Sequence, residues 1–233
     1  MKPFPVVAAT ALVFVLVSIS GWSSSELADV EREWTDEEWE QDGWPDDSVE
    51  HVNEGELEFL AEPPAELVHH HENVMILDRS SLEDGWVTLE QCHRHIDKVP
   101  RAQIIFRPGR IRDLRITVSE NIERAWVEGA SVQLTDIRQD SLLCLTAETF
   151  SLSAADDGSY SIENGPFMRR FLDGYYPMRV SQKVVLADSG LAFFGIHPAE
   201  QPGFAVSATP ESIDFDAWFE GRLRTEINLV PDD

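Results

Sequence analysis

The chain has 233 residues, of which 43 are acidic and 18 are basic, giving a formal net charge of −25. This balance argues against nucleic-acid binding, because phosphates require a positively charged surface, and it disfavours electrostatic attraction to anionic lipid. The acidic excess is concentrated in residues 26–66, which hold 17 acidic residues and a single base, Arg32.

Residues 1–20 have the layout of a secretory signal peptide. Lys2 precedes a mostly apolar run of twelve residues, and the small residues Ser18 and Ser20 follow at the spacing of a cleavage site. The run is short for a bilayer span, which needs about 20 apolar residues. We therefore expect cleavage, no later transmembrane segment, and a mature chain in the bacterial periplasm or outside the cell. An uncleaved membrane anchor over residues 4–22 is the alternative.

Residues 21–66 have the composition of an acidic linker that ends in the stiff sequence EPPAE. Thr35 and Glu38 have the spacing of a capping box, which predicts a short helix near residues 36–41 in otherwise unfolded chain. The linker also carries tryptophans, and exposed indole rings are costly unless they contact a surface. We expect either a plain spacer or a docking peptide that binds an envelope protein partner through Trp34, Trp39 and Trp44.

From residue 67 onward, apolar and polar residues alternate with the period of two that is typical of β-strands. The turn sequences Pro108-Gly109 and Asp173-Gly174 each predict a hairpin. About ten short strands over residues 67–233 predict an all-β domain, an antiparallel β-sandwich. Two small sandwiches with a boundary near residues 119–123 are the alternative. The alternation is clearest near the C-terminus, where one face carries Ile213, Phe215, Ala217, Phe219, Leu223, Ile227 and Leu229.

Three segments between residues 127 and 180 read VEGASVQLTD, SLSAADDGSYSIENG and GYYPMRV. They resemble the Gly-Ala strand opening, the Asp-Gly-Ser-Tyr hairpin and the Gly-Tyr-Tyr strand of carboxypeptidase-regulatory-like, or transthyretin-like, β-sandwich modules. The sequence PFMRRFLD, between the second and third segments, departs from that pattern. Since such modules mostly bind or support other proteins, the resemblance implies a fold and no catalytic residues.

The chain has two cysteines, Cys92 and Cys144. Because export favours oxidation, we expect a disulfide between them, with two buried free thiols as the alternative. A disulfide would remove Cys92 from any set of metal ligands, so that a metal site would have to be built from imidazole and carboxylate groups.

Five of the seven histidines lie in two short stretches, ELVHHHENVMIL and EQCHRHID. If both stretches are strands and pair, the side chains of His69, His71, His93 and His95 meet on one face. Four nitrogen donors suit zinc or copper. The alternative is that these histidines are structural or surface residues, because a histidine-rich composition alone does not specify a metal site.

Chemical motifs of other kinds are weak in this sequence, which has no Gly-rich phosphate loop and no nucleophile elbow around a serine. We expect an exported cell-envelope binding or accessory protein without catalytic activity, acting through protein–protein contacts. Two alternatives rest on the histidines: a periplasmic copper- or zinc-binding protein, and a secreted metal-dependent hydrolase or oxidase.

Overall fold

The computed structural model describes residues 53–171, 173–186 and 188–232. The predicted signal peptide, most of the acidic linker, its short helix and its three tryptophans lie outside these residues. Within the described part, no helix is long and apolar enough to cross a membrane.

The described residues form fifteen strands and one short helix, α1 (Ser81–Asp84). The strands are β1 (Glu58–Phe59), β2 (His70–Ile76), β3 (Trp86–Arg94), β4 (Arg101–Ile105), β5 (Ile111–Glu128), β6 (Ser131–Phe150), β7 (Leu152–Ala154), β8 (Tyr160–Phe167), β9 (Arg169–Phe171), β10 (Gly174–Tyr176), β11 (Met178–Val185), β12 (Leu191–His197), β13 (Phe204–Ala208), β14 (Ser212–Glu220) and β15 (Leu223–Pro231).

Most strands belong to two sheets. The large sheet has the order β1-β14-β11-β2-β3-β6-β4, with β13 added on β14 and β5 added on β6. The small sheet has the order β12-β15-β8-β7, and β9 pairs with β10 in a separate ribbon. All pairs are antiparallel except that between β2 and β11. The all-β prediction is confirmed, and the Asp173-Gly174 hairpin is present as β9 and β10.

The main hydrophobic core lies between the two sheets. It contains buried side chains from both of them, among them Met75 and Phe219 of the large sheet and Ile162 of the small sheet. The C-terminal alternation is confirmed, because every residue predicted for the apolar face is buried. The sheets therefore pack face to face as a sandwich.

The chain passes directly from the large sheet to the small one between β14 and β15. Gly221 makes this turn with a φ of 86°, a left-handed conformation that favours glycine. A side chain at this position would collide with the backbone of Glu56. Glycine at this position therefore allows the start of the described chain to pack closely against the sheet junction.

The described chain is part of the sheet well before residue 67. Glu58 and Phe59 in β1 pair with β14, and the ring of Phe59 stacks on that of Phe204 with centroids 5.2 Å apart. Residues 53–60, which the composition assigns to the linker, thus contact the folded sheet. The apolar ring of Phe59 and the hydrogen bond from the N–H of Leu60 to the carbonyl of Trp218 explain the difference, because the acidic composition of the segment predicted a linker.

Strands β5 and β6 form a long ribbon that bends back on itself. Non-glycine residues with positive φ interrupt both strands at Asn121, Asp136 and Asp140, and the β5 register shifts between Glu120 and Ile122. Such bulges bend a ribbon and increase its twist. Beyond the bend, β4 and residues 122–137 form what we call the arm. Strand β5 runs through residues 119–123, where the alternative of two small sandwiches places a domain boundary.

A second hydrophobic core lies under the arm. Val132, Leu134 and Ile137 from the arm pack with Leu143 and Leu145, which lie on β6 after the bend. The arm therefore packs over the later part of β6, which carries Leu143 and Leu145.

The predicted hairpin at Pro108-Gly109 is wrong. The turn itself forms, since Arg110 N–H donates to the carbonyl of Arg107 and Gly109 has a φ of 76°. However, β4 and β5 both pair with residues 131–135 of β6 and so lie on opposite sides of it. Strand β4 therefore pairs with β6, which is more distant in sequence, instead of pairing with β5.

The predicted disulfide between Cys92 and Cys144 is present. The two cysteines are direct cross-strand partners on β3 and β6, with Cα atoms 4.1 Å apart. The bond ties the ribbon to the strand that carries His93.

Candidate binding site between the sheets

Strands β2 and β3 pair as the histidine hypothesis required. His71 lies directly opposite His93, and both are buried on the face that packs toward the small sheet. Their ring centroids are 4.4 Å apart. The Nε2 atom of His69 lies 2.9 Å from Nδ1 of His93. Three of the four predicted histidines are thus brought together.

His95 is not part of this cluster. It follows the end of β3 with a φ of 54°, which turns the chain away from the strand direction. Its Nδ1 lies 3.7 Å from the carboxylate of Asp140, at the bend of the ribbon. The expectation that His95 shares a face with His93 assumed one more residue of regular strand than β3 has.

Burial keeps the clustered imidazoles uncharged. Loss of water lowers the pKa of His69 to about 4 and that of His71 to about 3, and neighbouring histidines add to the shift at His71. The pKa of His93 is lowered well below its usual value, again mainly by burial and then by His71 and His69. At neutral pH all three rings are neutral and each has one donor and one acceptor nitrogen.

The buried histidines belong to a larger set of polar side chains on the inner face of the large sheet, which we call the polar patch: His71, Asn73, Gln91, His93 and Gln182. The Oδ1 atom of Asn73 lies 2.9 Å from Nε2 of His71 and accepts a hydrogen bond of 3.1 Å from Nε2 of Gln91. Nε2 of Gln91 also contacts His71, and Nδ2 of Asn73 donates to Gln182 at 3.5 Å. The patch is held together across three neighbouring strands.

Polar groups also occupy the facing sheet. Asn164 of β8 and Thr225 of β15 are cross-strand partners, and Thr225 is buried on the inner face between Leu223 and Ile227. Ser151, between β6 and β7, is buried as well. This part of the sandwich interior is therefore polar on both of its walls.

Several of these buried atoms have no hydrogen-bond partner within the described residues. They are Oε1 of Gln91, Nε2 of His93, Oγ of Ser151, Nδ2 of Asn164, Nε2 of Gln182 and Oγ1 of Thr225. Buried polar groups in proteins are nearly always paired, so each exception calls for a reason.

Five of these six side chains line one cavity of about 610 Å³: Gln91, His93, Ser151, Asn164 and Thr225. The cavity lies at the boundary between the part of the large sheet that the small sheet covers and the part that the arm covers. Ile104 of β4 and Phe106, just after it, also line the cavity. Its volume is that of a small-molecule site. Charged residues on its lining, such as Arg107, Glu163 and Arg224, are exposed.

Metal binding in this cluster would depend on His69 and His93, whose ring nitrogens converge. Nε2 of His71 instead contacts Asn73 and Gln91. Among the described residues, no three or more histidine, cysteine, aspartate or glutamate side chains are arranged to hold one ion. Two neutral imidazoles suit zinc or copper, and further ligands would have to be of another kind.

A second polar cluster lies on the outer face of the large sheet. Ser181 donates its hydroxyl proton to Asp216 at 2.8 Å, and its oxygen lies 2.7 Å from Nε2 of His70. Because the serine has one proton, His70 is the donor to Ser181. A nucleophilic serine needs the histidine to accept that proton, so this arrangement is not that of a catalytic triad.

The sequence interpretation missed Asn73, Gln91, Asn164 and Thr225. The first two have the same parity as His71 and His93 on their strands. The strand alternation therefore contained the signal, which was a run of polar residues on the face that also carries Val87 and Leu89. The sequence carries no comparable signal for Asn164 and Thr225. Their place in this cavity depends on how the two sheets pack against each other, which no local pattern determines.

Comparison of the chain with protein-family models, curated proteins and solved structures finds no match.

Proposed function

We propose that this protein is an exported binding protein of the cell envelope without catalytic activity, and that it binds a small ligand in the cavity between its sheets. Its export is inferred from the N-terminal sequence, and the disulfide fits an oxidising compartment. Contacts with a protein partner through Trp34, Trp39 and Trp44 are a separate proposal that rests on the sequence.

The observation that carries the proposal is the set of unpartnered polar atoms on both walls of one cavity. Each buried polar group without a partner costs about 1–3 kcal/mol of stability. Apolar residues at these positions would make a more stable core. Stability of this kind is commonly given up where a protein binds something, because the ligand then supplies the missing hydrogen bonds.

A ligand screen with two matched variants tests this proposal. The protein's melting temperature is measured with neutral sugars, amino acids, small organic acids and metal ions, in the wild type, in Asn164→Leu and in Asn228→Leu. Asn164 lines the cavity, whereas Asn228 lies partly exposed on the same sheet. We expect a ligand that raises the melting temperature of the wild type and of Asn228→Leu but not of Asn164→Leu.

Two results would contradict the proposal. One is that no compound stabilises the wild type, and the other is that both variants respond to the same compound as the wild type does. In the second case the ligand binds elsewhere on the molecule.

Copper or zinc binding is a second candidate function. The specific observation in its favour is the 2.9 Å approach of Nε2 of His69 to Nδ1 of His93, both on neutral rings. At this distance one of the two nitrogens donates its proton to the other in the metal-free protein. Both would become ligands once that proton moves to the other nitrogen of its own ring, which needs no net loss of a proton at neutral pH.

Metal analysis of protein purified without a histidine tag tests this candidate. We expect stoichiometric copper or zinc in the wild type and in His70→Ala, whose imidazole lies on the outer face and contacts Ser181, and loss of the metal in His93→Ala. Equal metal content in both variants, or none in the wild type after micromolar loading, would rule the site out.

A further inference from the structure

We infer that the ligand of the cavity is a small neutral carbohydrate. This inference rests on the proposed binding function and adds the chemical class of the ligand. It follows from which polar groups lie deep in the cavity, which charges do not, and how the groups are divided between the two walls.

No fully buried Asp, Glu, Lys or Arg side chain of the described part of the chain lines the cavity. The buried polar side chains that line it are amides, hydroxyls and neutral imidazoles. Its charged lining residues are exposed except Arg110, which is half-buried. The Nε of Arg110 donates to the carbonyl of Phe150, and its guanidinium lies over the Phe150 ring, 4.9 Å from the centroid. An ammonium group against the polar patch would meet no buried carboxylate, and a phosphate or carboxylate would meet a single half-buried cation, Arg110, that already packs on Phe150. Such a group would lose most of its water for little compensating charge, which is unfavourable.

An apolar ligand fits no better. It would leave Gln91 Oε1, Asn164 Nδ2 and Thr225 Oγ1 buried and unpaired, at the full desolvation cost of each group. The ligand must therefore be uncharged and must form hydrogen bonds in more than one direction.

Hydroxyl groups meet this requirement best. The unpartnered atoms include an amide oxygen that only accepts, an amide nitrogen that only donates and the hydroxyls of Ser151 and Thr225, which do both. A hydroxyl on the ligand can serve either kind of partner. Because Gln91 and His93 lie on one sheet and Asn164 and Thr225 on the other, the ligand needs such groups on opposite edges, as a pyranose ring has them.

The apolar part of the lining suits the C–H faces of a sugar. Phe106, Phe150 and Phe167 line the same cavity as the polar groups. Phe167 packs edge-on against His71 at 5.1 Å, so its ring is fixed next to the polar patch. A cavity with aromatic surfaces and a few oriented polar groups is the usual form of a site for an amphipathic small molecule.

Calorimetric titration with neutral mono- and disaccharides at millimolar concentration tests the inference. The variants are Thr225→Val, which removes the unpartnered hydroxyl with almost no change in shape, and Thr88→Val as its control on the exposed face of β3. We expect at least one sugar to bind the wild type and Thr88→Val equally, and Thr225→Val about tenfold more weakly, as expected for one lost hydrogen bond. The charged analogues glucuronate and glucose 6-phosphate should bind more weakly than the neutral sugar.

The melting temperature of the unliganded protein gives a second readout. We expect Thr225→Val to melt at the same or a higher temperature than the wild type, because it loses a buried hydroxyl that has no partner. If Thr225 had a purely structural role, Thr225→Val would melt at a lower temperature than the wild type. Ser151→Ala serves as an independent variant with the same two expectations.

The outcomes separate this inference from the proposed function. If no sugar binds but another class of compound binds and Thr225→Val weakens it, the carbohydrate assignment is wrong and the cavity remains the site. If nothing binds, both are wrong. If a sugar binds equally well to Thr225→Val and Ser151→Ala, it occupies a different surface and the inference fails.

Discussion

The imidazoles of His69, His71 and His93 lose water on folding, and this loss lowers the pKa of each. In the unfolded chain a histidine has a pKa of about 6.5. The folded protein therefore binds fewer protons than the unfolded chain at mildly acidic pH. Their neutrality is also what makes the cavity wall suitable for an uncharged ligand.

Stability should fall as the pH drops below about 6.5. Above that pH these histidines are neutral in both the folded and the unfolded state, so they cause no further change in the free energy of unfolding. Between about pH 6.5 and the lowered pKa values the unfolded chain gains protons that the folded protein does not. Each buried histidine then costs up to about 1.4 kcal/mol per pH unit. Urea unfolding from pH 8 to pH 5 should show this loss, with a smaller slope in His93→Leu; equal stability at pH 7 and pH 5 would contradict it.

Single side chains were predictable from the sequence where local alternation decides them. The facing of His71 and His93 and the pairing of Cys92 with Cys144 are of this kind, since both follow from strand parity or cysteine count. His95 was placed wrongly because the left-handed residue that ends the strand leaves no mark on the alternation. Whether the histidine cluster holds a metal stays a prediction.

At the scale of elements, turns were easier to predict than strand partners. The Pro108-Gly109 turn forms, yet the flanking strands bind β6 instead of each other. Turn chemistry depends on two or three residues, whereas pairing depends on which distant strand offers a matching apolar face.

The turn at Gly221 gives a prediction at this scale. Gly221 and Gly190 both have positive φ, but a side chain would collide with Glu56 at Gly221 and meet nothing within 4 Å at Gly190. Replacing either with alanine should cost about 1–2 kcal/mol for the left-handed backbone. Gly221→Ala should cost about 1–3 kcal/mol more for overpacking.

Urea unfolding of the two variants measures the difference. Hydrogen exchange should also show faster exchange of residues 53–60 in Gly221→Ala, because moving that segment away relieves the collision. Equal losses of stability in Gly221→Ala and Gly190→Ala would show that the segment does not pack against the turn.

At the scale of the whole molecule, the described residues form two hydrophobic cores joined by one continuous ribbon. The sandwich core contains residues of both sheets, and the second core joins the arm to the later half of β6. The sequence predicted the all-β class because alternation is local. It did not predict the arm, because the bends at Asn121, Asp136 and Asp140 depend on backbone conformations that asparagine and aspartate tolerate but do not require. The resemblance to transthyretin-like modules remains a prediction.

We expect the two cores to differ in their response to truncation. Leu134→Ala removes a buried side chain from the arm core and Ile213→Ala one from the sandwich core, at a cost of about 2–5 kcal/mol each. Hydrogen exchange measured by mass spectrometry should show Leu134→Ala weakening protection mainly in β4 and residues 122–137. Ile213→Ala should weaken both sheets. Equal loss of protection everywhere in Leu134→Ala would mean that the arm and the sandwich unfold as one unit.

The parallel pairing of β2 with β11 sets an order of events during synthesis. The ribosome completes β3 about 80 residues before β11 begins, so the β2 edge of the hairpin that β2 and β3 form has free amide and carbonyl groups while the intervening chain is made. That edge includes the strand with His70 and His71. A nascent chain that stalls before Met178 thus has an unpaired strand edge that can pair with other chains. A chaperone that binds this edge until β11 emerges would protect the protein from aggregation.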